Sequence, residues 1–337
     1  MKIYAFFLRR LVGIVFVMLG VSVVTFVISH IIPSDPVVAA LGDRASEDQI
    51  LQFRSEYGLD RPLGEQYFIY LSHLAHGDLG VSLRTREPIA DNLRVYFPAT
   101  LELSMCALVF CLILGIPAGI WSALYRDHLV DSVVRTLSLI GGSMPTFWLG
   151  LILIGVAYGR LDLLPGGGRI GDFVSPPAAI TGLYTLDSLL TGNWTALKSS
   201  LAHLVLPAFT LGYFSSAVIA RMTRASMLEV LPQDYVRTAR GKGLSERLVI
   251  FRHALPNAMI PTLTVIGVAF GSLLSGTVLT ETVFSWPGIG RYTTASAFSL
   301  DFPAVMGVTL LAAIVYSLTS LLVDLGYAWL DPRIREV

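Results

Sequence analysis

Six long apolar runs dominate this 337-residue sequence and limit what it can fold into. Each run spans at least 20 residues and contains no Asp, Glu, Lys or Arg. A helix that crosses a bilayer needs about 20 consecutive apolar residues. We therefore predict an all-α, polytopic membrane protein with six transmembrane helices. The runs are Leu11–Ile32, Leu103–Leu124, Thr136–Tyr158, Leu201–Ala220, Asn257–Thr280 and Pro303–Val323.

The low charge content supports the same class. Only 14% of the residues are charged, whereas soluble domains carry about 25%. This composition excludes soluble enzymes, DNA-binding proteins and disulfide-rich secreted modules. The first run is 22 residues long, which exceeds the apolar core of about 7–15 residues in a signal peptide. We expect it to be a retained helix.

The charge distribution predicts an orientation. With the N-terminus inside, the inner segments hold 14 Lys and Arg against 7 Asp and Glu, and the outer segments hold 10 against 14. Lys and Arg favour the cytoplasmic side of a membrane protein. We therefore expect both termini to face the cytoplasm. The inner segments are 1–10, 125–135, 221–256 and 331–337.

Three parts follow from these spans. Residues 1–32 form the N-terminus and the first span, and residues 33–98 form an outer helical segment. Residues 99–337 hold the other five spans, with an outer loop at 161–200 and an inner loop at 221–256. In the outer segment, the capping-box pattern at Ser46 predicts a helix to about Tyr57. A second helix is predicted around Glu65–His76.

The inner loop 221–256 is the longest cytoplasmic loop and carries 7 Lys and Arg. Within it, Asp234-Tyr-Val-Arg-Thr-Ala-Arg-Gly-Lys-Gly-Leu244 predicts a short amphipathic helix that ends at Gly243. Glycine stops a helix well because it readily adopts the left-handed conformation. A solvated basic loop is the alternative, because the positive-inside rule alone predicts basic residues here.

Nucleotide-binding and metal-binding patterns are missing from the sequence. Gly241-Lys242 is the only Gly-Lys pair, and Gly243 follows it where a phosphate-binding loop requires Ser or Thr. Val236 stands where the upstream glycine of that loop should be. We expect no ATP hydrolysis by that route. His73 and His76 lack a further ligand at suitable spacing, so we expect no metal site.

The third apolar run is interrupted by Gly141-Gly-Ser143-Met-Pro145. Ser143 lacks an evident His or Lys partner that would make it a nucleophile, so we expect no catalytic residue and a helix kink instead. Such breaks also line substrate paths in transporters. Glu281 lies just past a helix end, where a packing role and a role in the path both remain open. The candidate path residues are Ser143, Met144, Pro145 and Glu281.

Two G-x-x-x-G patterns lie within the apolar runs, at Gly115–Gly119 and Gly267–Gly271. Small residues at this spacing let helix backbones approach closely. We expect tight packing at these positions, either within the chain or between subunits.

The inner loop resembles the EAA motif of bacterial ABC importer permeases. In that motif Glu-Ala-Ala is followed by Gly and, ten residues later, by Ile-x-Leu-Pro. Arg237 stands where the motif has Glu, and His253 where it has Ile. These departures resemble the peptide/nickel branch, where Tyr-x-Arg-Thr-Ala-Arg-x-Lys-Gly is usual. The register is kept by Ala239, Gly243, Leu255 and Pro256.

Other segments carry the resemblance from end to end. The whole is similar to the first (B-type) permease subunit of dipeptide, oligopeptide and nickel importers, and most similar to dipeptide permeases. Leu164–Arg169 and Asp301–Gly307 resemble the D,D-dipeptide subgroup. The other matching segments are Ile32-Pro-Ser-Asp-Pro36, Gly77-Asp-Leu-Gly80, Phe97-Pro-Ala-Thr-Leu-Glu-Leu103, Phe284-Ser-Trp-Pro-Gly-Ile-Gly290 and Asp331-Pro-Arg-Ile-Arg335.

The resemblance implies a type I ABC importer permease fold with an outer helical insertion, in the bacterial inner membrane. It implies half of a translocation path for dipeptides, in a heterodimer with a second permease subunit. Two ABC ATPase subunits would bind ATP and Mg, and a periplasmic or lipoprotein peptide-binding protein would deliver the peptide. This chain would hold no cofactor.

The resemblance also implies a mechanical role for the inner loop. Its short helix would seat in a groove of the ATPase and pass the closure of that subunit to the transmembrane helices. Ala239 would allow a close approach, and Arg237, Arg240 and Lys242 would pair with acids of the partner. The coupling residues implied are Asp234, Tyr235, Arg237, Ala239, Arg240, Lys242, Gly243 and Leu244.

Two alternatives concern the cargo and the energy source. An importer for oligopeptides, nickel chelates or glutathione remains open, because selectivity in such systems rests largely with the separate binding protein. An ion-driven secondary transporter would need carboxylates near the middle of the bilayer. None of the six runs contains one.

The predicted orientation can be tested by cysteine labelling. Cysteines at Ser46 and Gly167 should react with an impermeant reagent from outside, and a cysteine at Ser245 only from inside, because the inner segments carry the excess of Lys and Arg. Labelling of Ser245→Cys from the outer side of intact cells would contradict both the orientation and the coupling role.

Overall fold

The computed structural model describes residues 2–31, 46–56, 60–275 and 277–330. Two segments of the family resemblance, Ile32–Pro36 and 331–335, lie outside the described residues, as do all of residues 32–45. Within the described part, the chain is helical, and its only extended pairing is an isolated bridge between Val81 and Pro88.

The chain contains long apolar helices and shorter helices in the segments that connect them. Short π-helical turns follow α6, at Ile154–Tyr158, and α10, at Val249–Ala254. In chain order the helices are α1 Lys2–Ile31, α2 Glu47–Glu56, α3 Leu63–Ala75, α4 Ile89–Leu124, α5 Leu129–Ser143, α6 Thr146–Leu153, α7 Tyr184–Leu190, α8 Trp194–Val230, α9 Asp234–Gly241, α10 Glu246–Leu248, α11 Leu255–Ser275, α12 Val278–Val283, α13 Ile289–Phe298 and α14 Phe302–Leu330.

The predicted all-α membrane architecture is confirmed. Among the described residues, five helical segments are long and apolar enough to cross a membrane, and a bent pair of helices provides a sixth span if it counts as one. The five are Arg10–Ile28, Ile89–Leu124, Trp194–Val230, Glu246–Leu274 and Phe302–Leu322.

The bent pair lies where the third apolar run is interrupted, and the expected kink is confirmed. α5 and the segment Thr146–Tyr158 meet at 106°. Met144 between them is extended, with φ −84° and ψ 126°, because the ring of Pro145 disfavours a helical conformation in the preceding residue. Pro145 also has no N–H to donate to the carbonyl of Gly141, four residues earlier.

The chain divides into two compact units. The first contains the described residues between Ile3 and Ala99 together with Pro287–Ser317, and the second contains Thr100–Trp286 with residues from Leu318 onward. Residues 287–317 therefore belong with the N-terminal part, whereas the sequence-based division placed them with residues 99–337. Both α4 and α14 contribute to each unit.

The two helices predicted in the outer segment are present in the first unit. The N-terminus of α2 carries the predicted capping box. The backbone N–H of Gln49 donates to Ser46 Oγ at 3.3 Å, and the backbone N–H of Ser46 donates to Gln49 Oε1 at 3.0 Å. α3 packs on α1, where Ser22 Oγ and Tyr67 Oη lie 2.9 Å apart and the ring of Phe26 contacts Tyr67 edge-on.

In the same unit, Asp301 lies just before α14 and anchors the segment before α4. Its carboxylate accepts from Ser82 Oγ at 2.5 Å and from the backbone N–H groups of Arg84 and Ala304. Beside it, Gly307 leaves room for Ile89. Residues 82–89 and Asp301–Gly307, which are far apart in the chain, therefore pack together.

In the second unit, α4 and α8 approach closely at the pattern Gly115–Gly119. A Cβ at Gly119 would lie 2.6 Å from the carbonyl oxygen of Ala220 and 2.6 Å from Thr223 Cβ. At Gly115 it would lie 2.9 Å from the carbonyl oxygen of Ser216. The tight packing predicted here is confirmed, and it occurs within the chain.

We predict that Gly119→Ala destabilises the protein by about 1–3 kcal/mol, because the new methyl group has no space and the backbone must move. The control is Gly20→Ala in α1, where a Cβ meets nothing within 4 Å and a small stabilisation of about 0.5–1 kcal/mol is expected. Melting temperatures of the purified protein in detergent measure both. Equal melting of Gly119→Ala and the unchanged protein would contradict the contact.

Candidate functional site

The short helix predicted in the inner loop is present as α9, and it lies in an apolar socket. Val236 and Ala239 on its inner face are 0% and 5% exposed. The socket is formed by the C-terminal ends of α4 and α8, the π-helical turn after α10 and the start of α11. Its residues are Ile120, Ala123, Met227, Val249, Ile250, Ala254 and Ala258, with Leu244 at its edge.

Gly243 ends this segment in the left-handed conformation, as predicted. Its φ is +76°, and its N–H donates to the carbonyl oxygen of Arg240 at 2.9 Å, while the Lys242 N–H donates to that of Thr238 at 3.0 Å. A Cβ at Gly243 would meet nothing within 4 Å. Glycine is therefore favoured here by its backbone conformation and not by lack of space.

The candidate coupling residues divide between two faces of α9. The exposed face carries Asp234 and Arg237, which form a weak ion pair at 3.4 Å, and Lys242 follows it in the exposed turn. Ala239 lies on the buried face, so its close contacts are with the chain's own spans and not with a partner surface.

Two further candidates tie α9 to neighbouring elements. Arg240 pairs within the chain with Glu246, at 2.7 Å and 3.1 Å, and this hydrogen bonding raises the pKa of Arg240 above its ordinary value. Tyr235 Oη accepts from Asn257 Nδ2 of α11 at 3.0 Å. Both contacts fix the orientation of α9 on the spans behind it.

Three of the candidate path residues lie together at the bend between α5 and α6. Ser143, Met144 and Pro145 line an open, mainly apolar groove with Ile140, Phe147 and Trp148. Glu281 is not among the residues that line it. Glu281 is fully buried, and its Oε1 accepts from Thr100 Oγ1 at 2.6 Å, which favours the packing role that the sequence left open.

A buried ion pair that the sequence did not reveal holds the outer loop. Arg169 donates to Glu102 Oε2 from Nε at 2.9 Å and from Nη2 at 2.6 Å, and the two side chains are 7% and 2% exposed. Glu102 Oε1 accepts from the N–H and the Oγ1 of Thr185, each at 2.7 Å. The guanidinium carbon of Arg169 also lies 3.7 Å from the ring centroid of Tyr184.

The glycine-rich part of this loop packs against the segment after α12. The N–H of Gly168 donates to the carbonyl oxygen of Phe284 at 2.8 Å, and a Cβ at Gly167 would lie 2.8 Å from that same oxygen. Gly167 is therefore unsuitable for cysteine labelling. Phe173 is fully exposed in the same loop and is the better position for a labelling cysteine.

Asp187 shapes the end of the outer loop. Its buried carboxylate accepts from the N–H groups of Ile180, Thr181 and Gly182 and from Thr181 Oγ1. Burial raises the pKa of Asp187, but these hydrogen bonds outweigh burial and hold the pKa below its ordinary value.

A second ion pair, which the sequence did not reveal, lies near the C-terminal ends of α4 and α8 and at the start of α5. Asp131 of α5 accepts from Arg224 of α8 in a two-pronged contact, at 2.7 Å and 2.8 Å, and from Ser122 Oγ of α4 at 2.5 Å. The sequence does indicate that Glu102, Asp131 and Arg224 need partners, because they border apolar sequence, where an unpaired charge is costly. That signal does not identify the partners.

Comparison with known proteins gives a consistent result. The family described as binding-protein-dependent transport system inner membrane component matches residues 115–336, and the N-terminal component of such systems matches residues 3–104. The chain is 49% identical to the probable D,D-dipeptide transport system permease protein DdpB of Escherichia coli (strain K12), covering 99% of this chain and 98% of that protein.

Two other relatives match over nearly their whole length. The dipeptide transport system permease protein DppB of Alkalihalophilus pseudofirmus is 43% identical, with 98% of this chain and 99% of that protein covered. The glutathione transport system permease protein GsiC of Escherichia coli O6:H1 is 38% identical, with 97% and 98% covered.

Among solved structures, a chain of the MetNI methionine ABC transporter in an inward-facing conformation matches with a TM-score of 0.51. The two chains are 15% identical, and the match covers 69% of this chain and 93% of the MetNI chain. This likeness confirms the type I ABC importer permease fold.

The hydrogen bonds at Asp187 lead to a prediction about pH. Because the pKa is lower in the folded protein, the stabilisation is present above the ordinary pKa of about 3.9 and is lost as the pH falls through the pKa of the folded state. Asp187→Asn should therefore cost about 1–3 kcal/mol at neutral pH, and the difference should shrink in acid. The exposed Asp172→Asn is the control. The measurement is the melting temperature of each protein from neutral pH down to acid pH. A difference between Asp187→Asn and the unchanged protein that does not depend on pH would contradict the lowered pKa of Asp187.

Proposed function

The chain belongs to the family of binding-protein-dependent transport system inner membrane components, which makes it a multi-pass permease subunit of an ABC importer in the inner membrane, and we propose that it forms half of a translocation path for dipeptides. The observation that carries the substrate class is the near-full-length identity of 49% and 43% to permeases named for D,D-dipeptides and dipeptides. The glutathione permease, at 38%, supports the alternative cargo less strongly.

The path itself would run along the bend between α5 and α6. Pro145 cannot donate a hydrogen bond to the Gly141 carbonyl, and non-helical backbone at membrane depth is tolerated only inside protein or beside a water-filled cavity. The groove at Ser143, Met144 and Pro145 therefore faces protein or water and not lipid. A second permease subunit, opposite this groove, would complete the path as a heterodimer.

The energy would come from other chains. The sequence lacks a phosphate-binding loop, so ATP and Mg would be held by two ATPase subunits, and this chain alone would hydrolyse no ATP. A periplasmic or lipoprotein peptide-binding protein would deliver the cargo from the outside. Both termini and the inner loop would face the cytoplasm, as the excess of Lys and Arg indicates.

The contact with the ATPase would be made by α9. Its buried face lies in the socket formed by the chain's own spans, and its exposed face presents Asp234 and Arg237, with Lys242 just beyond. A helix of eight residues has little stability alone, so its position depends on the socket. Movement of α9 with a closing ATPase would therefore be passed to the inner ends of α4, α8 and α11.

The coupling role is tested by Gly243→Asp. A residue with a Cβ is disfavoured at positive φ by about 1–2 kcal/mol, and the new carboxylate alters the basic docking surface, so we expect transport to be lost while the protein stays in the membrane. The matched control is Gly192→Asp in the outer loop. Gly192 has a φ of +66°, and a Cβ there would also meet nothing within 4 Å.

The experiment measures dipeptide uptake, copurification of the ATPase subunits and membrane abundance for both variants. Gly243→Asp should lose uptake and ATPase copurification at normal abundance, and Gly192→Asp should keep all three. Normal uptake by Gly243→Asp, or an equal loss in both variants, would remove the case for α9 as the coupling element.

A further inference from the structure

The carboxylate of Asp131 joins the inner ends of three spans in the second unit. The carboxylate accepts from Ser122 Oγ on α4 and from Nε and Nη2 of Arg224 on α8. Asp131 itself lies in the first turn of α5. The backbone N–H of Asp127, in the turn before α5, donates to Asp131 Oδ2 at 3.1 Å. The side chain of Asp131 is 1% exposed and that of Arg224 is 22% exposed.

This polar cluster lies directly beside the socket of α9 along two helices. Ser122 falls between the socket residues Ile120 and Ala123 of α4. Arg224 lies one helical turn before the socket residue Met227 of α8. A displacement of the socket therefore displaces the hydrogen-bond donors that hold Asp131.

Away from the socket, the cluster is attached to α5 through Asp131, in the first turn of that helix. Two further bonds fix α5 to α8: Arg221 Nη1 donates to the Ser138 carbonyl oxygen at 3.0 Å, and Tyr213 Oη donates to that of Leu137 at 3.2 Å. α5 ends at Ser143, next to the groove at the bend. The socket, the Asp131 cluster and the bend are therefore connected through α4, α8 and α5.

We propose that Asp131 is a positioning residue that ties the socket of α9 to α5, so that movement of α9 reaches the bend between α5 and α6. The inference rests on the proposed function, because it assumes that α9 receives the movement of the ATPase. The two-pronged pair with Arg224 suits this role, because such pairs fix orientation as well as distance. Loss of the pair would detach the first turn of α5 from α4 and α8 and leave α5 held to α8 only by the bonds at Ser138 and Leu137.

The test uses the assembled importer with its binding protein and a dipeptide, and it compares Asp131→Asn with Asp127→Asn. Asp127 is the matched control: its side chain is 73% exposed and pairs with the adjacent Arg126. Asp131→Asn should keep ATPase copurification and basal ATP hydrolysis, whereas peptide transported per ATP hydrolysed should fall by about tenfold, within the range of a lost coupling interaction. Asp127→Asn should leave every value unchanged.

Two further variants separate positioning from simple stability. Asp131→Glu keeps the carboxylate and should recover part of the transport per ATP, and Ser122→Ala removes one donor and should give a smaller loss of the same kind. If abundance and copurification of Asp131→Asn fall in proportion to uptake, the residue is only structural and the proposal is wrong.

The outcome is distinguishable from failure of the proposed function. Unchanged transport per ATP in Asp131→Asn, together with lost transport in Gly243→Asp, would overturn the role of Asp131 and leave α9 as the coupling element. Normal transport in Gly243→Asp would overturn the coupling role itself.

Discussion

Paired buried charges hold the second unit together, because an apolar medium makes an unpaired charge very costly. Glu102 with Arg169 and Asp131 with Arg224 are each joined by two hydrogen bonds. For the fully buried pair of Glu102 and Arg169, removing one partner typically costs about 3–5 kcal/mol, whereas Arg224 is 22% exposed and its pair with Asp131 mainly fixes orientation. The first pair therefore gives residues 161–200 a strongly preferred position, and the second fixes the C-terminal ends of α4 and α8 to the start of α5.

The position of α9 depends on apolar packing and not on a buried ion pair. The helix is too short to be stable alone, and its two buried residues, Val236 and Ala239, attach it to the socket. Polar contacts from Tyr235 and Arg240 then set its rotation. A helix that depends on its socket for stability moves together with it, which is the property that the proposed coupling role requires.

The bend between α5 and α6 shows how a membrane protein uses a weakness in its backbone. Glycines and a proline interrupt the hydrogen-bonding pattern at one position of the third apolar run, and the chain turns by 106° there. The interrupted backbone must be sheltered from lipid. The same constraint that makes the break costly thus directs it toward protein or water.

Much of this architecture follows from the sequence alone, because its signals are local. Apolar length predicts the spans, Pro145 predicts the kink, and the capping box at Ser46 and the stop at Gly243 predict helix ends through the backbone preferences of those residues. The inner-loop motif indicated the family as well. The tertiary structure decided which charges pair: Arg169 and Glu102 are 67 residues apart, and Arg224 and Asp131 are 93 apart. It also decided that Ala239 faces the chain's own spans. No local pattern contains this information, because the partner of a buried charge is set by how helices pack against one another and not by the residues beside it in the chain.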